Sequence, residues 1–105
     1  MTLYGSNTTQ TQDDALTEWR ARGGQKQGWK RREFADQAEV AVEAGMSKDD
    51  VIAMLGTPDD SSDTDLVYLF DDDMFAHFYM LVVYLDADGR VLRAEQTDSR
   101  TYKGP

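Results

Sequence analysis

The stretch from Gly45 to Pro58, GMSKDDVIAMLGTP, constrains the fold more than any other part of the 105-residue sequence. It predicts a short helix with both ends marked. Ser47 suits the N-cap, because its hydroxyl can accept from the backbone N–H of Asp50 while the Asp50 carboxylate completes a capping box. Gly56 can adopt the left-handed conformation past the helix end, and Pro58 cannot continue a helix. The stretch contains no nucleophile, base or ligand cluster, so it predicts architecture and no catalysis.

The rest of the apolar pattern predicts an α+β fold. Helical spacing precedes the capped helix, and alternation of apolar and polar residues follows it. We expect two helices packed on one face of a three-stranded antiparallel sheet, with a possible extra helix at the N-terminus. The predicted segments are helices at 14–22, 32–44 and 48–55, strands at 66–70, 75–85 and 90–96, and a hairpin turn at 86–89.

Chain length predicts one domain. We expect it to span residues 14–97, with its core at 32–97. Polar, aperiodic segments at 1–13 and 98–105 are expected to be flexible tails.

Charge is distributed unevenly along the chain. Twenty acidic residues against eleven basic ones give a net charge of −9. Residues 1–33 hold six Lys or Arg against four acids, whereas 34–105 hold five against sixteen, a net −11. The acidic part should repel nucleic acid and anionic lipid, so a basic partner is more plausible than an acidic one. The preferred interpretation is that the acidity serves solubility or suits a salty habitat. The basic run at 30–32 after Trp29 is therefore expected to pair with acids rather than to bind nucleic acid.

Cysteine is absent, which excludes disulfides, thiolate metal sites and thiol catalysis in this sequence. No apolar run approaches the roughly 20 residues of a membrane span. The N-terminal residues lack the regions of a signal peptide. We expect no membrane insertion. The expected location is cytoplasmic if this N-terminus is native, and the periplasmic face of the envelope if a signal and a lipobox cysteine were trimmed.

Two groups of residues suggest a metal or catalytic site, and each also has a plainer interpretation. His77 follows the aspartates at 71–73, which would allow a metal site or a proton relay, but a solvated turn is the preferred interpretation. The run at 86–89, DADG, resembles the start of a calcium loop without the remaining ligands, and a hairpin turn is preferred. We therefore predict no enzymatic activity, no metal and no cofactor.

The capped helix, the Tyr-bearing strand VYLF and the turn DADGRV together resemble the SmpA/OmlA (BamE-like) domain over about Phe34 to Thr97. The resemblance implies two helices against a three-stranded sheet and a non-catalytic scaffold or binding role. Its best-known members are lipid-anchored periplasmic subunits of the machine that assembles outer-membrane β-barrels. This sequence has no cysteine and hence no lipobox, and the same layout occurs in inhibitor-type proteins that bind enzymes. The matching residues are Gly45, Met46, Ser47, Val51, Leu55, Gly56 and Pro58.

The longest predicted strand has apolar side chains on both faces, and helices can cover only one of them. The other face is expected to contact the N-terminal segment or another protein, and sheet edges offer pairing with a partner strand or a second copy. We therefore predict binding of a protein partner or a homodimer. A small ligand held between helix and sheet in a protein of unassigned role, cytosolic or encoded by a mobile element, is the alternative. The candidate interface residues are Trp19, Trp29, Phe78, Tyr79, Met80, Leu81, Val83 and Tyr84.

Overall fold

The computed structural model describes residues 3–23, 31–72 and 77–104, with the backbone alone for 3–11. Within these ranges the fold is α+β, as predicted. The predictions for Trp29, Lys30 and the residues at 73–76 lie outside the described residues. The elements are α1 (Leu3–Arg22), a 3-10 turn (Arg32–Phe34), α2 (Ala35–Ala41), α3 (Lys48–Leu55), β1 (Asp60–Ser61), β2 (Asp65–Asp72), β3 (Phe78–Leu85) and β4 (Val91–Asp98).

The sheet has four antiparallel strands in the order β1-β2-β3-β4. The predicted three strands correspond to β2, β3 and β4, and β1 is additional. β1 has only two residues, both exposed, so it carries no alternating pattern that the sequence could show. Backbone hydrogen bonds hold this edge, including one of 2.8 Å from Asp59 N–H to the Val67 carbonyl.

Helix α1 starts at Leu3, whereas the prediction started it at Asp14 and assigned residues 1–13 to a flexible tail. The reason is compositional: residues 3–13 are mainly Thr, Gln, Ser, Asn and Asp, so no apolar face marks the helix. The C-terminal half does carry an apolar face. Ala15, Leu16 and Trp19 are buried there.

Helix α3 has the predicted ends. The Ser47 hydroxyl accepts from the Asp50 N–H at 3.1 Å, and Gly56 follows the helix with φ 89°. Helix α2 is shorter than predicted and ends at Ala41, since Val42 is already extended. Gly45, with φ 91°, turns the chain three residues later.

The main core lies between the three helices and one face of the sheet. Trp19, Val51, Leu66, Leu81 and Val83 are fully buried in it. The opposite face, called the outer face here, carries a smaller cluster. It consists of Val67, Met80 and Val82, with Leu69, Phe78, Tyr84 and Tyr102 packed against them.

The segment after β4 folds back on the sheet as far as Tyr102, in contrast to the predicted flexible tail from residue 98. The N–H groups of Thr101 and Tyr102 donate to the Asp98 carbonyl at 3.1 and 2.8 Å. The Tyr102 hydroxyl donates to Asp65 Oδ2 at 2.6 Å, across the outer face from the end of β4 to the start of β2. This contact positions the Tyr102 ring over the outer cluster.

Candidate partner-binding edge of the sheet

The β2 edge of the sheet is closed by side chains where β1 stops. The Leu69 N–H donates to Asp59 Oδ2 at 2.8 Å, and the Leu69 carbonyl accepts from Arg31 Nε at 2.9 Å. The next carbonyl, that of Phe70, accepts from the Arg31 backbone N–H at 3.0 Å. These three bonds satisfy backbone groups that a free strand edge would present to another strand.

Arg31 is held in place on every side. Its side chain is 1% exposed, its Nη1 donates to the Trp19 carbonyl at 2.8 Å, and its guanidinium carbon lies 3.9 Å from the Trp19 ring centroid. Asp59 Oδ2 lies 3.5 Å from its Nη2. Burial lowers the pKa of Arg31 below its ordinary value, and Asp59 and Tyr68 oppose that shift. A Cβ at Gly23 would lie 2.9 Å from Arg31 Nη1, so the end of α1 is fitted to this guanidinium.

Tyr68 completes the same cluster from β2. Its hydroxyl donates to the Gly56 carbonyl at 2.8 Å, and its ring packs 6.4 Å from that of Trp19. Burial raises the pKa of Tyr68 above its ordinary value. Trp19, Arg31 and Tyr68 are each at most 1% exposed, so their role in this cluster is structural.

The β4 edge is not closed in this way. The alternating direction of the backbone hydrogen bonds of β3 shows which groups of β4 point outward. Leu85 N–H donates to the Thr64 carbonyl of the β2 side at 2.7 Å, whereas Ser99 N–H donates to the Phe78 carbonyl at 2.9 Å. With the observed registers, even-numbered residues of β3 therefore bond to residues 93, 95 and 97 of β4. The backbone groups of Ala94 and Gln96 consequently point away from the sheet.

The open part of this edge has two defined ends. At its start Val91 exchanges hydrogen bonds of 2.8 Å with Gly45 and Met46, which cover the edge. At its end the Asp98 carbonyl is taken by the turn that leads to Tyr102. Between them, no hydrogen bond from the described part of the chain reaches the backbone N–H or C=O of Ala94 or Gln96.

Charged side chains flank the open edge on the outer face. Arg93 and Glu95 are 60% and 46% exposed and lie 3.9 Å apart. Glu95 Oε1 accepts from the Tyr84 hydroxyl at 2.8 Å, and the Arg93 guanidinium lies 4.1 Å from the Tyr84 ring centroid. Burial, followed by the hydrogen bond to Glu95, raises the pKa of Tyr84.

Acidic side chains flank the same edge on the helix face. Gln96 Nε2 donates to Asp36 Oδ1 at 2.7 Å and to Glu39 Oε1 at 3.0 Å, so two carboxylates of α2 converge on one neutral amide. No Lys or Arg of the described residues forms an ion pair with either carboxylate. Each of these two elements also has one exposed large apolar side chain: Val40 on α2 is 70% exposed, and Leu92 on β4 is 54% exposed.

The predicted interface residues divide between the two faces of the sheet. Trp19, Leu81 and Val83 are 0% exposed in the main core, so their assignment to an interface is corrected here. Odd-numbered residues of β3 point towards the helices, which the alternation alone could not reveal. Tyr79 lies on that helix side, partly buried beneath the Arg32 guanidinium at 4.4 Å from its ring centroid.

The remaining members, Phe78, Met80 and Tyr84, belong to the outer face. Met80 is only 6% exposed, because Tyr102 and the neighbouring aromatic rings pack on this cluster. The outer face is thus largely covered by the chain itself, and Phe78 and Tyr84 are its partly exposed members.

The metal and calcium interpretations gain no support from the geometry. Among the described residues, no group of three or more His, Cys, Asp or Glu side chains could hold a metal ion. In the hairpin, Asp86 Oδ1 accepts from the N–H groups of Asp88 and Arg90 at 2.8 and 3.0 Å, as a turn requires. Gly89, with φ 78°, supplies the positive φ of that turn.

Two cavities lined by described residues bear on the small-ligand alternative. One of about 240 Å³ lies between the end of α1 and the loop after α3 and is lined by Arg20, Gly23 and residues 55–59. Arg20 already donates from Nη1 to the Met54 carbonyl at 2.7 Å. The other, of about 390 Å³, lies beside the hairpin turn and is lined by Lys48 and Asp63 among others. Neither lies in the predicted position between helix and sheet.

The fold and its edges define a small α+β domain with one closed and one open sheet edge. Comparisons with protein-family models, curated proteins and solved structures found no match. The BamE-like resemblance therefore stays a prediction. Within the described ranges, none of the helices combines the length and the apolar content that crossing a bilayer requires.

Proposed function

We propose that this chain is a non-catalytic protein-interaction domain of the BamE-like type that binds an extended segment of a partner protein along β4. The observation that carries the proposal is the pair of outward-facing residues Ala94 and Gln96, whose backbone groups have no partner among the described residues. An added strand would satisfy those groups in the manner of β-augmentation.

The features that usually protect an edge leave these two positions accessible. The β-bulge of β4 lies opposite Tyr84 and Leu85, before Ala94 in the sequence. The segment at Gly45 and Met46 covers only the beginning of the strand. The open part is long enough for two pairs of hydrogen-bonded residues, which would give four backbone hydrogen bonds.

The outer face supports the same function as a secondary contact. Tyr84 lies beside the open edge, and its ring is sandwiched between the outer cluster and the Arg93 guanidinium. A bound segment would therefore meet an aromatic ring and a cation next to its backbone contacts.

The test is affinity capture with the purified chain, followed by identification of the captured proteins. Ala94→Pro removes the outward N–H without removing a ladder hydrogen bond, and Ala94→Ser keeps that N–H at nearly the same size. We expect one reproducible partner that is retained by wild type and by Ala94→Ser and lost by Ala94→Pro. A folded Ala94→Pro variant that captures the same partner equally well would contradict binding at this edge.

A further inference from the structure

The open edge of β4 has carboxylates on both faces, with Arg93 beside Glu95 on the outer face. Glu95 is about half exposed on the outer face, and Asp36 and Glu39 converge beside Gln96 on the helix face. The sequence around them has the same sign, since residues 34–105 carry a net charge of −11. Arg93 is the one cation of β4, and it already lies over Tyr84.

The geometry of pairing determines what a bound strand would place against these carboxylates. In an antiparallel addition, Ala94 and Gln96 form the hydrogen-bonded pairs, so the residue opposite Glu95 belongs to a non-hydrogen-bonded pair. Such a pair brings Cβ atoms to about 4.5–5.5 Å, with both side chains on the outer face. The residues opposite Ala94 and Gln96 project to the helix face, where Asp36 and Glu39 lie.

From this juxtaposition we propose that the segment bound at β4 is a basic extended strand that places Lys or Arg opposite Glu95. The inference rests on the proposed function, because it specifies the chemistry of the partner at the same edge. Opposite charges directly across a strand pair stabilise it, and like charges destabilise it.

A second copy of the chain fits this edge less well. Self-pairing centred on Glu95 uses both open positions, but it sets Glu95 against the same residue of the second copy. Self-pairing centred on Ala94 would place Arg93 of each copy opposite Glu95 of the other. However, it would form only one hydrogen-bonded pair of open residues. It would also bring the end of each β4 against Gly45 and Met46 of the other copy, which cover the start of the strand. Charge complementarity therefore favours a separate, basic segment.

The experiment uses two synthetic peptides that differ only at the centre, acetyl-Thr-Val-Thr-Lys-Thr-Val-Thr-amide and the same peptide with Glu in place of Lys. Each is titrated into the full chain, and the backbone amide signals of Ala94 and Gln96 are followed by NMR. We expect the Lys peptide to bind about fivefold more tightly than the Glu peptide. Glu95→Lys should reverse the order, and raising salt from about 0.05 M to about 0.5 M should reduce the difference.

Ala94→Pro separates this inference from the function on which it rests. If the variant binds neither peptide, while wild type binds both with equal affinity, the edge is correct and the preference for a basic segment is wrong. If wild type binds neither peptide, or if Ala94→Pro binds the peptides as well as wild type does, then both the binding function of the β4 edge and the preference for a basic segment are wrong. If analytical ultracentrifugation shows that wild type is a dimer and that Ala94→Pro is a monomer, the segment bound at β4 belongs to a second copy of the chain, and the proposal of a separate basic segment is wrong.

Discussion

The two edges of the sheet differ in whether side chains hydrogen-bond to their unpaired backbone groups. Beyond β1, the β2 edge is closed by a buried guanidinium and a carboxylate, Arg31 and Asp59, which bond directly to Leu69. The β4 edge keeps Ala94 and Gln96 open to solvent between two covered ends. Closing an edge with a charged group requires burying that group, which is costly unless every donor finds an acceptor. Leaving an edge open costs little folding free energy, because water satisfies the exposed groups.

This difference has a consequence for binding. A sheet with two open edges could add strands on both sides and propagate from molecule to molecule. With the β2 edge closed by Arg31 and Asp59, a second copy cannot add a strand there, so growth through both edges of the sheet is blocked. Under the proposed function, we therefore expect the chain to bind a partner segment only at β4.

Removing the closing residue should give the largest effect. Arg31→Ala leaves the carbonyls of Leu69 and Trp19 without their donor and creates a cavity beside Trp19. Breaking a buried charge pair costs about 3–5 kcal/mol. We expect a loss of that size in the free energy of unfolding, measured by urea denaturation.

The control for Arg31 is its neighbour. Arg32 Nε lies 2.7 Å from Asp71 Oδ2, but the Arg32 side chain is 55% exposed. Arg32→Ala should therefore cost less than about 1 kcal/mol, as exposed ion pairs do. Equal costs for the two substitutions would show that Arg31 does not close the edge.

Asp59 should give the next largest effect. Asp59→Ala removes the charged acceptor of the Leu69 N–H and the carboxylate beside the buried Arg31 guanidinium, and should cost about 1–3 kcal/mol, the range for hydrogen bonds to charged groups. Asp59→Asn keeps an acceptor oxygen and should cost less. We also expect Asp59→Ala to open a second edge, seen as concentration-dependent association in analytical ultracentrifugation that Asp59→Asn lacks. A strictly monomeric, folded Asp59→Ala would contradict the sealing role.

The closed edge was the part of this comparison that the sequence could not predict. Arg31 lies in a basic run with Lys30 and Arg32, and nothing in the local sequence distinguishes the buried Arg31 from the exposed Arg32. Its burial depends on Trp19, twelve residues away, and on the backbone of β2. Such contacts follow from tertiary packing, which periodicity does not encode.

Local signals succeeded where the structural cause was itself local. The ends of α3 were predicted because Ser47 and Gly56 act on backbone groups within a few residues. Alternation correctly separated the two faces of β3, but it could not say which face the helices cover. Leu81 and Val83, two core residues, were therefore assigned to an interface. Trp19 of α1 was assigned to it as well, because its burial depends on the packing of α1 on the sheet. An open strand edge was expected in general, and only the strand order identified it as β4.

The Tyr102–Asp65 contact joins the two sides of the sheet across the outer face, and its loss should have a smaller effect. Asp65 is 7% exposed, so Tyr102→Phe leaves that carboxylate without its hydroxyl donor. We expect a cost of about 1–2 kcal/mol in the free energy of unfolding.

The contact also predicts a pH dependence. Burial, followed by the bond to Asp65, raises the pKa of Tyr102 in the folded chain. The stabilisation is therefore fully present below the ordinary tyrosine pKa of about 10 and is lost as pH rises above it. Unfolding measured from pH 8 to 11 should show a shallower alkaline decline in Tyr102→Phe than in wild type. Parallel declines would show that another group is responsible.

The smallest expected effect on stability comes from the open edge, and it provides the sharpest test of the comparison. Ala94 N–H points away from the sheet, whereas Glu95 N–H bonds to β3. Ala94→Pro should therefore change the free energy of unfolding by less than about 1 kcal/mol, because edge strands tolerate proline where the N–H faces solvent. Glu95→Pro, one residue further, removes a ladder bond to the buried Val82 and should cost about 1–3 kcal/mol.

Urea denaturation of the two proline variants measures this difference directly, and hydrogen exchange of wild type checks its cause. The amides of Ala94 and Gln96 should exchange much faster than those of Glu95 and Thr97, since only the latter pair is bonded within the sheet. If both proline variants lose the same stability, or if all four amides are equally protected, the β4 edge is not open. In that case both edges of the sheet would be closed, and β4 would offer no site for an added strand.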